Sequence, residues 1–181
     1  MSEPNSLFAK IHISKNKFDA FLSSKPQTPT LDNDWKEWWA SRKMYGKSEL
    51  QEQNLVCYID ETNGAIINSL VEAKEYLAFS EYDDQHEIWN FGVIMFAENY
   101  LDMIPGIAFI KSVSEFKNEN NEDFAIIYNH FWGAAYVCAF INYQNGDSFF
   151  DTNIQQISDI DPNVLKYSEE YLRKKYDELA V

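Results

Sequence analysis

The chain has 181 residues, 45% of them hydrophobic and 16% aromatic, and a formal net charge of −14 at pH 7. That apolar content excludes a disordered acidic tail, and the length fits one globular domain over residues 1–181. The charge excludes a protein that binds nucleic acid or anionic lipid through general electrostatics, because both surfaces would be repelled.

Leu7 to Ile13 alternates, with Phe8, Lys10 and His12 on one side and Leu7, Ala9, Ile11 and Ile13 on the other, and this period of two predicts a strand. Ser14 then caps a short helix carrying Phe18, Phe21 and Leu22, and Ser23 to Thr30, with Pro26 and Pro29, reads as a loop. One of Asp32, Asn33 and Asp34 caps a second helix that runs to Tyr45 and stops at Gly46. Trp35, Trp38, Trp39 and Arg42 recur on it at helical spacing, either as a face laid on the core or as an exposed aromatic patch for a partner.

Leu55 to Ile59 reads as a strand, Glu61-Thr62-Asn63-Gly64 as a hairpin turn and Ala65-Ile66-Ile67 as the return strand. Ser69-Leu70-Val71-Glu72 has the form of a capping box opening a helix to about Phe79. Ile88 to Phe96 predicts a strand buried on both faces. Pro105 suits the first position of a helix, although Ile107 to Phe116 fits a strand as well. Phe124–Trp132 and Ala135–Tyr143 read as core strands, and Asn145-Gly146 as a hairpin turn into a short strand at Ser148–Phe150. Asp161-Pro162 opens a C-terminal helix with Leu165, Leu172, Tyr176 and Leu179 on one face. The expected class is α+β: a single domain with a mainly antiparallel sheet flanked by helices.

Met1-Ser2-Glu3-Pro4-Asn5 lacks the basic and apolar regions of a signal peptide, and the longest apolar run, Phe91 to Ala97, is too short to span a bilayer. Cys57 and Cys138 stand singly in apolar runs without CxxC spacing, which suits two buried free thiols in a reducing compartment better than the alternative, a disulfide between them. The expectation is a cytoplasmic protein with no membrane partner.

Catalytic signatures are scarce. His86-Glu87 begins like the zinc-protease HExxH, but Asn90 stands where the second histidine belongs. Asp60 with Glu72-Ala73-Lys74 matches the loose D…ExK pattern of Mg²⁺-dependent nucleases, a site that needs all its groups projected from adjacent strands. Neither GxGxxG, GxxxxGK nor GxSxG occurs. The expectation is therefore no enzyme, no cofactor and no metal.

The charge is unevenly placed. Residues 75–165 hold 15 Asp and Glu against two bases, Lys111 and Lys117, whereas the other 90 residues hold 14 acids and 13 bases. Three clusters carry it: Glu81/Asp83/Asp84/Glu87, Glu115/Glu119/Glu122/Asp123 and Asp147/Asp151/Asp159/Asp161. Each falls on a loop or element end between strands of one sheet, so they either converge on a negative face or remain separate solvated loops. In the first case Glu81, Asp83, Asp84, Glu87, Glu119, Glu122, Asp123, Asp147 and Asp151 are the candidate partner-binding residues, with Tyr82, Trp89, Tyr100, Phe149 and the Trp35–Trp39 helix as candidate anchors.

The opening Phe8-Ala9-Lys10-Ile11-His12-Ile13-Ser14-Lys15, the Tyr58-Ile59-Asp60-Glu61-Thr62-Asn63-Gly64 segment before Ser69-Leu70-Val71-Glu72-Ala73, and Phe131-Trp132-Gly133 resemble the immunity proteins of bacterial polymorphic toxins, contact-dependent growth inhibition systems included. The resemblance implies an antitoxin that covers the active site of one cognate toxin domain, a basic nuclease domain in the reading that suits the charge. Two alternatives use other features: an acidic nucleic-acid mimic that inhibits DNA-binding enzymes, and a metal-dependent enzyme built on Asp60 and Glu72.

Overall fold

The computed structural model describes residues 3–58, 60–120 and 122–180. Its centre is one six-stranded antiparallel sheet in the order β2-β3-β1-β4-β5-β6, from β1 (Asn5–His12), β2 (Ala78–Asp83), β3 (Ile88–Ala97), β4 (Phe124–Tyr128), β5 (Val137–Gln144) and β6 (Asp147–Phe150). Among the described residues five α-helices flank it: α1 (Lys15–Ser23), α2 (Asn33–Ser41), α3 (Asn63–Glu72), α4 (Tyr100–Lys111) and α5 (Pro162–Leu179). The class is α+β, as expected.

The alternation of β1 determines the layering. Leu7, Ala9, Ile11 and Ile13 belong to a core shared with residues of α1 to α4, whereas Phe8 joins Ile94, Ile126 and Phe140 on the opposite face, which Leu172 of α5 covers. β1 and β3 are central and buried on both faces, which accounts for their nearly continuous apolar sequences.

The Trp35–Trp39 helix lies on the core and is not an exposed patch. Trp38 is fully buried, stacks on Phe150 at 4.8 Å between ring centroids and donates from Nε1 to the Cys138 carbonyl at 2.9 Å. α2 ends at Ser41, short of Tyr45, because Arg42 turns inward to donate to the carbonyls of Val137, Ile154 and Thr152. The same helix start ties down the sheet edge. Asp34 accepts from the Phe150 N–H at 2.9 Å and pairs with Lys111, whose Nζ also donates to the Ser148 carbonyl.

The predicted hairpin over 55–67 is not formed. Leu55 to Tyr58 has no regular structure, Ile59 lies outside the described residues, and the supposed turn opens α3. Thr62 caps α3 by accepting from Ala65 N, Asn63 Nδ2 donates to the Phe21 carbonyl, and Ile66 and Ile67 enter the core. Gly64 is where α3 meets α1: a Cβ there would lie 3.1 Å from the Leu22 carbonyl oxygen. The helix expected from Ser69 to Phe79 is replaced by the end of α3, a 3₁₀ turn at Lys74–Tyr76 and β2.

Pro105 is not the first residue of its helix. Asn99 caps α4 by accepting from Asp102 N, so Pro105 sits within the helix, which continues to Lys111 before a 3₁₀ turn at Ser112–Glu115. Residues 107–115 are thus helical, and Phe116 caps the 3₁₀ turn. Cys138 is buried, but Cys57 is only partly so, and both thiols are free. No helix among the described residues is long and apolar enough to cross a membrane.

Candidate partner-binding surface

The register brings most of the acidic residues to one end of the sheet. His12 and Asp83 each pair with Ile88, Lys10 with Phe124, Phe124 with Asn142, and Gln144 with Asp147. The β2–β3 turn, the approach to β4 and the β5–β6 turn therefore emerge side by side. Hydrogen bonds link them to one another: Ile13 N donates to the Glu87 carbonyl at 2.8 Å, Asn118 N to the His12 carbonyl at 2.9 Å, and Asn145 N to Glu119 Oε2 at 3.3 Å. Five inter-strand gaps give this end a width of about 24 Å.

Asp83, Asp84, Glu87, Glu119, Glu122 and Asp147 are exposed there. Three of the bases nearby are already engaged, whereas Lys17 in the first turn of α1 is exposed. Lys10 is largely buried with Glu122 at 3.9 Å, Lys15 pairs with Asp19, and Lys111 holds Asp34 at 2.8 Å. Asp83 accepts from the N–H groups of Gln85 and His86, and its Oδ2 lies 2.7 Å from His86 Nδ1. Those bonds, the His86 imidazole first, hold its carboxyl below the usual carboxylate range.

Three candidates stand apart from this surface. Asp123 is buried: Oδ1 accepts from His12 N at 2.9 Å and lies 2.6 Å from His12 Nδ1, while Oδ2 faces Lys117 Nζ at 3.0 Å. It organises the end from inside and does not reach a partner. Asp151 follows β6 at the level of Phe140 in mid-β5, remote from the β5–β6 turn, and Glu81 is half-buried under α5. Burial opposes ionisation of Glu81, but hydrogen bonds from Lys175 and Tyr171 outweigh it and lower its pKa. Glu81 therefore fastens α5 to the edge strand.

The proposed aromatic anchors are mostly internal. Trp35, Trp38, Trp39 and Trp89 are buried, Tyr82 stacks on Phe18 and donates to the Ile13 carbonyl, and Tyr100 packs against Trp38. Phe149 alone of that set is exposed, at 39%. Exposed aromatic residues outside that set are Tyr45, Trp132, Tyr136, Tyr58 and Tyr76, the last two sharing another part of the surface.

Neither enzymatic pattern assembles on strands. His86 lies in the β2–β3 turn, Glu72 ends α3, and Lys74 begins the following 3₁₀ turn. No group of three or more His, Cys, Asp or Glu among the described residues is placed to hold a metal ion. No family model, curated protein or solved structure matches the chain.

Proposed function

We propose that this chain is an immunity protein that binds a cognate toxin domain, basic and nucleolytic, and covers its active site through the acidic end of the sheet. The supporting observation is the linkage of three acidic loops, by backbone and side-chain hydrogen bonds, into one surface about 24 Å wide. Loops tied to the end of a sheet need little backbone ordering when the partner arrives, and the summed field of their carboxylates accelerates encounter with a cationic groove. A surface of this kind competes for the positive site that otherwise holds phosphate.

The test is capture of the partner from the native lysate with tagged protein, followed by recombination of the two purified components. The expected result is a one-to-one complex that abolishes the partner's nuclease activity. Its association rate should fall steeply between low and high salt, as exposed charges predict. Asp83→Lys, Asp84→Lys and Glu87→Lys together should abolish protection while leaving the fold intact. Full protection by that triple variant would refute the assignment of the surface, and a partner that retains its activity in the complex would refute the antitoxin role.

A further inference from the structure

Nine residues of β3 separate the acidic end from a second surface, a distance of roughly 30 Å along the strand. Where β3 passes into α4, two adjoining concavities of about 430 and 400 Å³ share Tyr58, Leu70 and Tyr76. Phe96 forms part of the second floor, its ring lying so close to α4 that a Cβ on Gly106 would be 2.4 Å from it. Tyr58 and Tyr76 are each 37% exposed, and Val71 and Leu101, the chain neighbours of lining residues, are 44% and 48% exposed. The two tyrosines give the groove exposed aromatic faces beside Leu70 and Phe96, and tyrosine is a preferred anchor at protein interfaces.

The charge around the groove restricts what can occupy it. Asp60 and Glu61 line one concavity, and Glu98 and Asp102 the other, and among the described residues no Lys, Arg or His lines either. An acidic segment would be repelled. A neutral apolar segment would strip water from Asp60 and Glu61 without replacing it. A segment with lysine or arginine beside its apolar residues satisfies both requirements, and its cations also suit the tyrosine ring faces.

We propose that this groove is a second docking surface, for a partner segment in which an apolar side chain flanked by lysine or arginine packs on Tyr58, Leu70, Tyr76 and Phe96. The acidic end steers by charge alone, whereas this groove recognises charge and an apolar anchor together.

The test is a titration of the ¹⁵N-labelled full chain with a short synthetic peptide of paired leucines flanked by lysines, against peptides of lysine alone and of leucines flanked by glutamates. Saturable shifts should centre on Tyr58, Leu70, Tyr76, Ala97 and Asp102 with the first peptide only. Tyr58→Ala with Tyr76→Ala, and separately Asp60→Asn with Glu61→Gln and Asp102→Asn, should each weaken binding about ten-fold. Asp83→Lys with Asp84→Lys and Glu87→Lys should leave it unchanged, so failure at either surface is distinguishable from failure at the other. Equal binding of the lysine-only peptide, shifts centred on residues 83–87 and 119–122, or no saturable binding would overturn the proposal. Self-association through the groove would overturn it by making a second copy the occupant.

Discussion

Replacing Asp123 by Asn tests whether the acidic end is organised from within. The Asp123 side chain is wholly inaccessible and that of Lys117 is 2% exposed, so the substitution leaves a buried ammonium without its counter-charge. Breaking a buried pair in this way costs about 3–5 kcal/mol. Lys117 Nζ also donates to the carbonyls of Asn118 and Asn120, which retain part of its solvation, so the expected loss is near the lower bound, about 3 kcal/mol. Against a domain stability of roughly 5–15 kcal/mol that is a large fraction, and it corresponds to a fall in Tm of about 6–12 °C. Urea and thermal unfolding of the single variant and of Lys117→Met with Asp123→Asn read the two quantities. The double variant buries no charge and should recover about half of the loss, because Asn can still accept from His12. A loss below about 1 kcal/mol in the single variant, or a double variant no more stable than the single, would refute the argument.

Three further outcomes are expected. Trp38→Ala removes a fully buried ring stacked on Phe150 and should cost about 3–5 kcal/mol in urea unfolding. Gly92→Ala places a Cβ 2.4 Å from the Phe79 ring and should cost about 1–3 kcal/mol, with Phe79→Leu in the same chain relieving part of it. Burial, with Arg173 nearby, pushes His130 down from 6.5 to about 4, so the folded protein keeps it neutral in a range where the unfolded chain protonates it. Stability should therefore be full above pH 6.5 and fall as the pH drops towards 4, and His130→Phe should flatten that fall in unfolding measured across the window.

The parts of the fold legible in the sequence are those where one physical signal has no competitor. The alternation of Leu7 to Ile13 occurs as a strand because each face meets its own core. Asn145-Gly146 turns as expected, with φ of +53° and +75°, because only residues tolerant of that region close a two-residue hairpin. The Glu61-Thr62-Asn63-Gly64 segment suits a hairpin turn and a helix start equally well. Contacts of Asn63 and Gly64 with α1, distant in sequence, decide for the helix. β2 was illegible because an edge strand beneath α5 carries polar residues at Ser80, Glu81 and Asp83, with no uniform alternation.

The candidate surface was legible as loop placement. Its convergence depends on strand order, and the withdrawal of Asp123 depends on His12, which lies 111 residues away. The missing anchors have a similar cause. Aromatic spacing on α2 identifies a face without saying what covers it, and the hairpin formed by β5 and β6 does.

The attachment of α2 to β6 also governs how the protein behaves when crowded with copies of itself. An outermost strand offers its free N–H and C=O groups as a template for any other extended chain. On β6 the outward positions are Ser148 and Phe150, and side chains occupy three of their four backbone groups: Asp147 takes the Ser148 N–H, Lys111 the Ser148 C=O and Asp34 the Phe150 N–H. A four-residue strand sealed in this way has almost nothing left to offer, so growth of the sheet by strand addition is blocked on that side. Asp34, Lys111 and Asp147 thus cover most of what this edge would offer another extended chain.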